Sequence, residues 1–202
     1  MRLLPVFVMS FALPGAGAAE RMEIVICNSA ALPPYVVTEA EKQAGFVFRS
    51  ADIDVRWSGC ETTAALNYTQ NTARFLIRLR NDFVPRYGSE LSLHSMGRAF
   101  VSGGEGYIAD VYYPAIQELA RNSQARESWL IGYTIAHEIG HLLLGPGHRL
   151  QGIMRANWGR EEALALAQRW LGFDKTDQIR LRDRLRQVSL SEPHLFSAEP
   201  RP

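Results

Sequence analysis

The spacing of hydrophobic positions changes character about halfway along the chain, from short extended runs to helical stripes. Met22 to Cys27 reads Met-Glu-Ile-Val-Ile-Cys, a β-branched run that Asn28 and Ser29 close, and it predicts a strand. Thr38 to Ser50 carries Ala40, Ala44, Phe46 and Val47 at helical spacing, and Asp54 to Trp57 is extended again. That order predicts a βαβ unit at the start of the domain. Phe75 to Leu79 alternates as a half-buried strand does, and two more strands are expected near Arg98 to Val101 and at Tyr107 to Tyr112. Between them, Ser102-Gly103-Gly104-Glu105-Gly106 reads as a turn. No lysine follows these glycines and strands flank them, so the run is not read as a phosphate-binding loop.

From Pro114 the period becomes helical. Pro114 suits a first turn, and Ile116, Leu119 and Ala120 form a modest stripe ending before Asn122. The next helix, from about Ser128 to Leu144, is apolar nearly all round, the mark of a buried central helix. Gly145-Pro146-Gly147 must end it, because glycine accepts the left-handed region and proline cannot continue the ladder. Two further helices are expected, at Arg160 to Leu171 and Thr176 to Val188. In the last, Arg180, Arg182, Arg184 and Arg186 alternate with Leu181 and Leu185, which describes a solvated face beside a packed one.

The first residues change the picture of where the chain works. Arg2, the apolar run Leu3 to Leu13 and the small residues Gly15 to Ala19 have the form of an export signal. The run is shorter than the roughly 20 residues that span a bilayer, and Pro5 and Pro14 interrupt it, so cleavage is expected in place of stable membrane insertion. The expected organisation is a signal at 1–19, one catalytic domain at 20–190 and a loose tail at 191–202. The chain has 202 residues, enough for one substantial core. Lys+Arg 22 against Asp+Glu 21 leaves a net charge of +1, which gives no reason to expect nucleic acid as a partner. The two cysteines of an exported chain, Cys27 and Cys60, are expected to pair.

The chemistry concentrates on the central helix, which carries His137-Glu138-Ile139-Gly140-His141. Residues four apart on a helix share a face one turn apart, so two imidazoles can hold one cation with Glu138 beside it. Burying these three groups among apolar neighbours without a metal would be costly. Zinc fits the donor set, and Glu138 reads as the general base for hydrolysis and not as a ligand. A third protein ligand is needed. His148, beyond the glycine break, is the leading candidate, and Glu161, opening a downstream helix, is the rival. His94 and His194 stand apart and read as ordinary loop histidines.

On these residues the segment from Ile135 to Trp158 resembles the metzincin metallopeptidases, whose pattern is H-E-x-x-H-x-x-G-x-x-H followed by a methionine turn. His137, Glu138 and His141 match it, Gly145 and His148 each fall one position late, and Gly152-Ile153-Met154 resembles the methionine turn. It is also similar to exported bacterial proteins of metalloprotease type that carry H-E-I-G-H-L-L-L-G, a later histidine and G-I-M-R. The resemblance implies an α+β, zincin-like domain with a twisted mixed sheet, an active-site helix and a helical C-terminal part. It implies one catalytic Zn2+ held by His137, His141 and His148, Met154 as a floor beneath the ligands, and an exported, secreted or periplasmic endopeptidase acting on peptide or protein. Tyr107, Tyr112, Tyr113 and Tyr133 are the candidates for stabilising the oxyanion, and Tyr107 to Tyr112 for the edge strand that pairs with substrate. Two other readings use the same residues: an exported zinc protein without catalysis, and a zinc-dependent amidohydrolase acting on a non-peptide amide.

Overall fold

A computed structural model describes residues 19–60, 72–82 and 95–190. The expected signal, apart from Ala19, the tail, His94 and His194 lie outside the described residues. Five strands, β1 (Glu20–Asn28), β2 (Ile53–Gly59), β3 (Ala73–Arg80), β4 (Gly97–Ser102) and β5 (Glu105–Tyr112), form one mixed sheet in the order β2-β1-β3-β5-β4. The neighbours β2-β1, β1-β3 and β3-β5 run parallel, and β4 runs antiparallel to β5. With a parallel partner on each side, β1 is buried from Met22 to Ile26, and the one charged residue in that run, Glu23, is paired with Arg74 and Ser58. In β3 the alternation of the sequence becomes a strict alternation of burial, with Ala73, Phe75, Ile77 and Leu79 facing the core.

The βαβ unit is present: α1 (Pro34–Arg49) links the parallel strands β1 and β2. The helix starts earlier than the expected Thr38 because Pro34 occupies its first turn, where a missing N–H costs nothing. Its face around Ala40, Ala44 and Val47 joins the core and packs on α3 (Glu127–Leu144). Next to the βαβ unit, Cys27 and Cys60 form a disulfide with the Cα atoms 5.0 Å apart, tying the ends of neighbouring strands.

The sheet edge differs from the expectation. The strand Tyr107 to Tyr112 lies inside the sheet as part of β5, hydrogen-bonded to β3 on one side and β4 on the other, so it is not an edge. The tight turn at Gly103 and Gly104, both at positive φ (63° and 83°), folds β4 back alongside β5 and leaves β4 outermost. Burial follows the same order: Ala109, Val111 and Tyr112 of β5 are buried, whereas β4 is half-buried along most of its length.

The C-terminal part is helical: α2 (Tyr113–Ser123), α3, α4 (Arg160–Ala167) and α5 (Lys175–Leu190). Helix α4 stops short of the expected Leu171 because Arg169 takes φ 59° and lays its guanidinium 4.7 Å from the Phe46 ring centroid. Among the described residues, no helix is long and apolar enough to cross a membrane.

Candidate metal centre and its cavity

Helix α3 is buried continuously from Leu130 to Leu143, on every face, so the polar groups it carries must find partners inside the protein. It ends at Gly145, whose φ of 88° turns the chain out of the helix while its N–H still bonds the His141 carbonyl at 3.0 Å. That exit brings Pro146, Gly147 and His148 back toward the helix.

There, ring nitrogens of His137, His141 and His148 all lie within 4.8 Å of one another. Nε2 of His141 is 3.0 Å from Nε2 of His137 and 3.2 Å from Nε2 of His148. Tetrahedral donors about 2.0–2.1 Å from a zinc ion are separated by about 3.3 Å, so the spacing fits that geometry. The opposite ring atoms fix the tautomers. His137 Nδ1 lies 2.6 Å from the Ile153 carbonyl and His141 Nδ1 3.3 Å from that of Gly145, so each donates from Nδ1 and turns the Nε2 lone pair inward. Two lone pairs turned inward beside the Nε2 of His148 suit a shared cation.

The pKa values describe the same preference for neutral rings. Burial pushes His137 down to about 3, with the nearby His141 and His148 adding to the effect and the Ile153 carbonyl opposing it. His141 is lowered by burial and by His148, against the pull of Gly145, and His148 by its own partial burial. Glu138 goes the other way. It is only 4% exposed, and burial raises its carboxyl to about 8; the Ala99 backbone opposes the rise and Asp110 adds to it.

Two segments support the cluster from below. The turn from Arg149 to Arg155 closes on itself through the bond from Arg149 N–H to the Met154 carbonyl at 2.8 Å, and Ile153 N–H bonds Gly172 at 3.0 Å. This holds the Ile153 carbonyl at His137 and places Met154 against α3. A Cβ added at Gly140 would lie 2.5 Å from the Met154 sulfur, so the absence of a side chain there lets the methionine approach the helix between the two histidines. Trp158 completes the wall, its ring edge-on to His137 with centroids 5.7 Å apart.

The rival ligand is elsewhere. The Glu161 side chain is 89% exposed and pairs with Arg155 at 3.7 Å, while the neighbouring Glu162 is held by Arg155 and by the Gly159 N–H. Both act at the start of α4. None of the four candidate tyrosines lines the cavity over the histidines. Tyr113 donates its hydroxyl to Glu127 at 2.5 Å, Tyr107 stacks on Phe75, and Tyr112 and Tyr133 are buried in the core. The cavity, about 930 Å³, is bordered by β4, α2, α3 and the segment Ala156 to Arg160. Thr134 and Trp158 line it, and their Oγ1 and Nε1 are buried with no hydrogen-bond partner. Sequence reading missed both, along with Gly97 and Ala99. An H-E-x-x-H pattern says nothing of which strand passes over its glutamate.

The sequence matches no protein-family model and no curated protein. In structure the chain is similar to archaemetzincin from Methanopyrus kandleri, at a TM-score of 0.52 and 14% identity, over 86% of this chain and 99% of that one. It is also similar to metalloproteinase-II from Bacteroides fragilis, at a TM-score of 0.51 and 15% identity, over 84% of this chain. It spans only 54% of that second protein. At such identities the likeness is one of fold.

Proposed function

We propose that this chain is a zinc-dependent peptidase of the zincin type, with His137, His141 and His148 as metal ligands and Glu138 as general base. The observation that carries the reading is the convergence of three inward-facing Nε2 atoms beside one buried carboxylate on an open cavity. Bound zinc supplies Lewis-acid chemistry, bringing water into its nucleophilic range near neutral pH and polarising a carbonyl. Glu138 takes the proton from the attacking water and passes it to the leaving nitrogen. The Ile153 and Gly145 carbonyls keep His137 and His141 in the ligating tautomer, and Met154 keeps their helix in place. The outer edge of β4 borders the cavity, and among the described residues no strand pairs with it, which leaves it open to an extended peptide.

The fold likeness to a metalloproteinase and an archaemetzincin supports this reading. Work outside the cytoplasm is part of the proposal and draws on the leader-like residues 1–19 and on the Cys27–Cys60 disulfide, a bond that persists in oxidising compartments. A zinc site that only stabilised the fold would close its fourth position and would gain nothing from a buried carboxylate next to the ligands.

The test is metal analysis of the purified mature chain together with turnover of a quenched fluorescent peptide library. One zinc per chain and chelator-sensitive cleavage are expected. A protein that binds no zinc, or binds it and cleaves nothing, overturns the proposal.

A further inference from the structure

Glu138 does not stand free in the cavity. Its side chain lies directly against the bare Cα of Gly97. A Cβ built on Gly97 would fall 2.7 Å from both Cγ and Cδ of Glu138, a separation that real Cβ atoms essentially never show. Gly97 is not among the residues of positive φ, so its backbone conformation is open to any residue. What the position requires is room. The strand itself is held in place: Gly97 stands opposite Val111 and Ala99 opposite Ala109 in the ladder, and the Met96 carbonyl accepts from Tyr112 N–H at 2.8 Å. Because β4 is anchored through β5 to the interior of the sheet, it cannot simply drift away from a new methyl group.

We propose that Gly97 is a positioning residue for the general base: the gap left by its missing side chain forms a seat that fixes the Glu138 carboxylate over the metal centre. This inference rests on the peptidase reading above. It makes the sheet edge that borders the substrate cavity also the element that aims the base, so alignment of Glu138 depends on backbone and not on another side chain. A misplacement of about 1 Å at such a group costs on the order of 100-fold in rate.

The test is Gly97→Ala in the full-length zinc-loaded protein. We expect kcat on a fluorescent peptide to fall about 100-fold while KM changes little, the pattern of a loss confined to the transition state. Zinc content should stay at the wild-type value. The second readout needs no activity: a methyl group forced into this packed seat should lower the apoprotein Tm by roughly 5 °C. In a Glu138→Ala background the same Gly97→Ala change should cost almost nothing, since the atoms it strikes are gone. Unchanged kcat, or a Tm loss just as large without the Glu138 side chain, overturns the proposal. A wild-type chain without turnover overturns the peptidase reading by itself, and the Tm cycle then decides separately whether Gly97 seats Glu138.

Discussion

Arg149 and Asp177 form a two-pronged ion pair, Nη2 to Oδ1 at 2.6 Å and Nε to Oδ2 at 3.1 Å, across the junction between the ligand loop and α5. Asp177 is 1% exposed and also lies 3.5 Å from Arg180, whereas Arg149 follows His148 directly and bonds the Met154 carbonyl through its own N–H. One carboxylate therefore pins both the third histidine and the turn beneath the site. Asp177→Asn keeps the shape and removes the charge. The zinc dissociation constant is expected to rise about 10-fold or more, as it does when groups that orient metal ligands are lost. Competition with a chromophoric chelator measures it, and unchanged affinity would show that the loop holds its place without the clamp.

Glu138→Gln separates binding from chemistry. The amide fills the same space against Gly97, so the seat remains occupied and zinc content should match wild type. Turnover should drop by about 10²–10⁴-fold, the contribution of a positioned proton-transfer group. The neutral side chain also avoids the cost of burying a carboxylate, so the apo variant should melt no lower than wild type at pH 8.5. A variant that cleaves peptide at the wild-type rate would remove Glu138 from the mechanism.

The parts of this molecule that were legible in sequence are those with a local physical cause. Helix α3 showed itself because burial on all sides leaves no polar face to interrupt Leu130 to Leu143, and the pair His137 and His141 because a helix fixes the geometry of positions four apart. The βαβ opening followed from a change of period. The sheet edge was not legible, since Tyr107 to Tyr112 and Arg98 to Val101 have similar composition, and only pairing with β3 decides which strand lies inside. Gly97 gave no signal either, because a glycine that makes room for a residue 41 positions away looks like any other glycine. In sequence Tyr133 is one of four candidate oxyanion hydroxyls, and packing buries it in the core.

The Cys27–Cys60 disulfide ties β1 to β2, whereas β4, which borders the cavity, is at the opposite edge of the sheet. Its loop of 33 residues in sequence separation contributes about 3–4 kcal/mol by restricting the unfolded chain. Replacing both cysteines with serine should lower Tm by roughly 10 °C. Zinc affinity should not change, because these strand ends lie at the edge of the sheet away from β4. A large loss of zinc affinity in this variant would mean that the βαβ unit and the metal centre are coupled through the core.

The pH dependence of metal binding can be reasoned from the histidines and Glu138 together. His137 has a folded pKa of about 3, below the ordinary 6.5, so its contribution to stability is fully present above pH 6.5 and is lost as pH falls from there toward 3. His141 and His148 are shifted in the same direction. Glu138 is raised from 4.5 to about 8, so its contribution is complete below pH 4.5 and is lost as pH rises toward 8. Zinc changes both balances. It requires neutral imidazoles, which the lowered folded values of all three rings favour, and its charge favours the ionised carboxylate, which relieves the cost at Glu138 as pH rises. The carboxylate dominates in this window, and the rise in Tm on zinc loading should therefore grow from pH 5.5 to pH 8 as Glu138 ionises. Melting curves of apo and zinc-loaded protein across that range give the answer. A gain that is flat or shrinks with pH would mean that the cation is not held by these three rings beside this carboxylate.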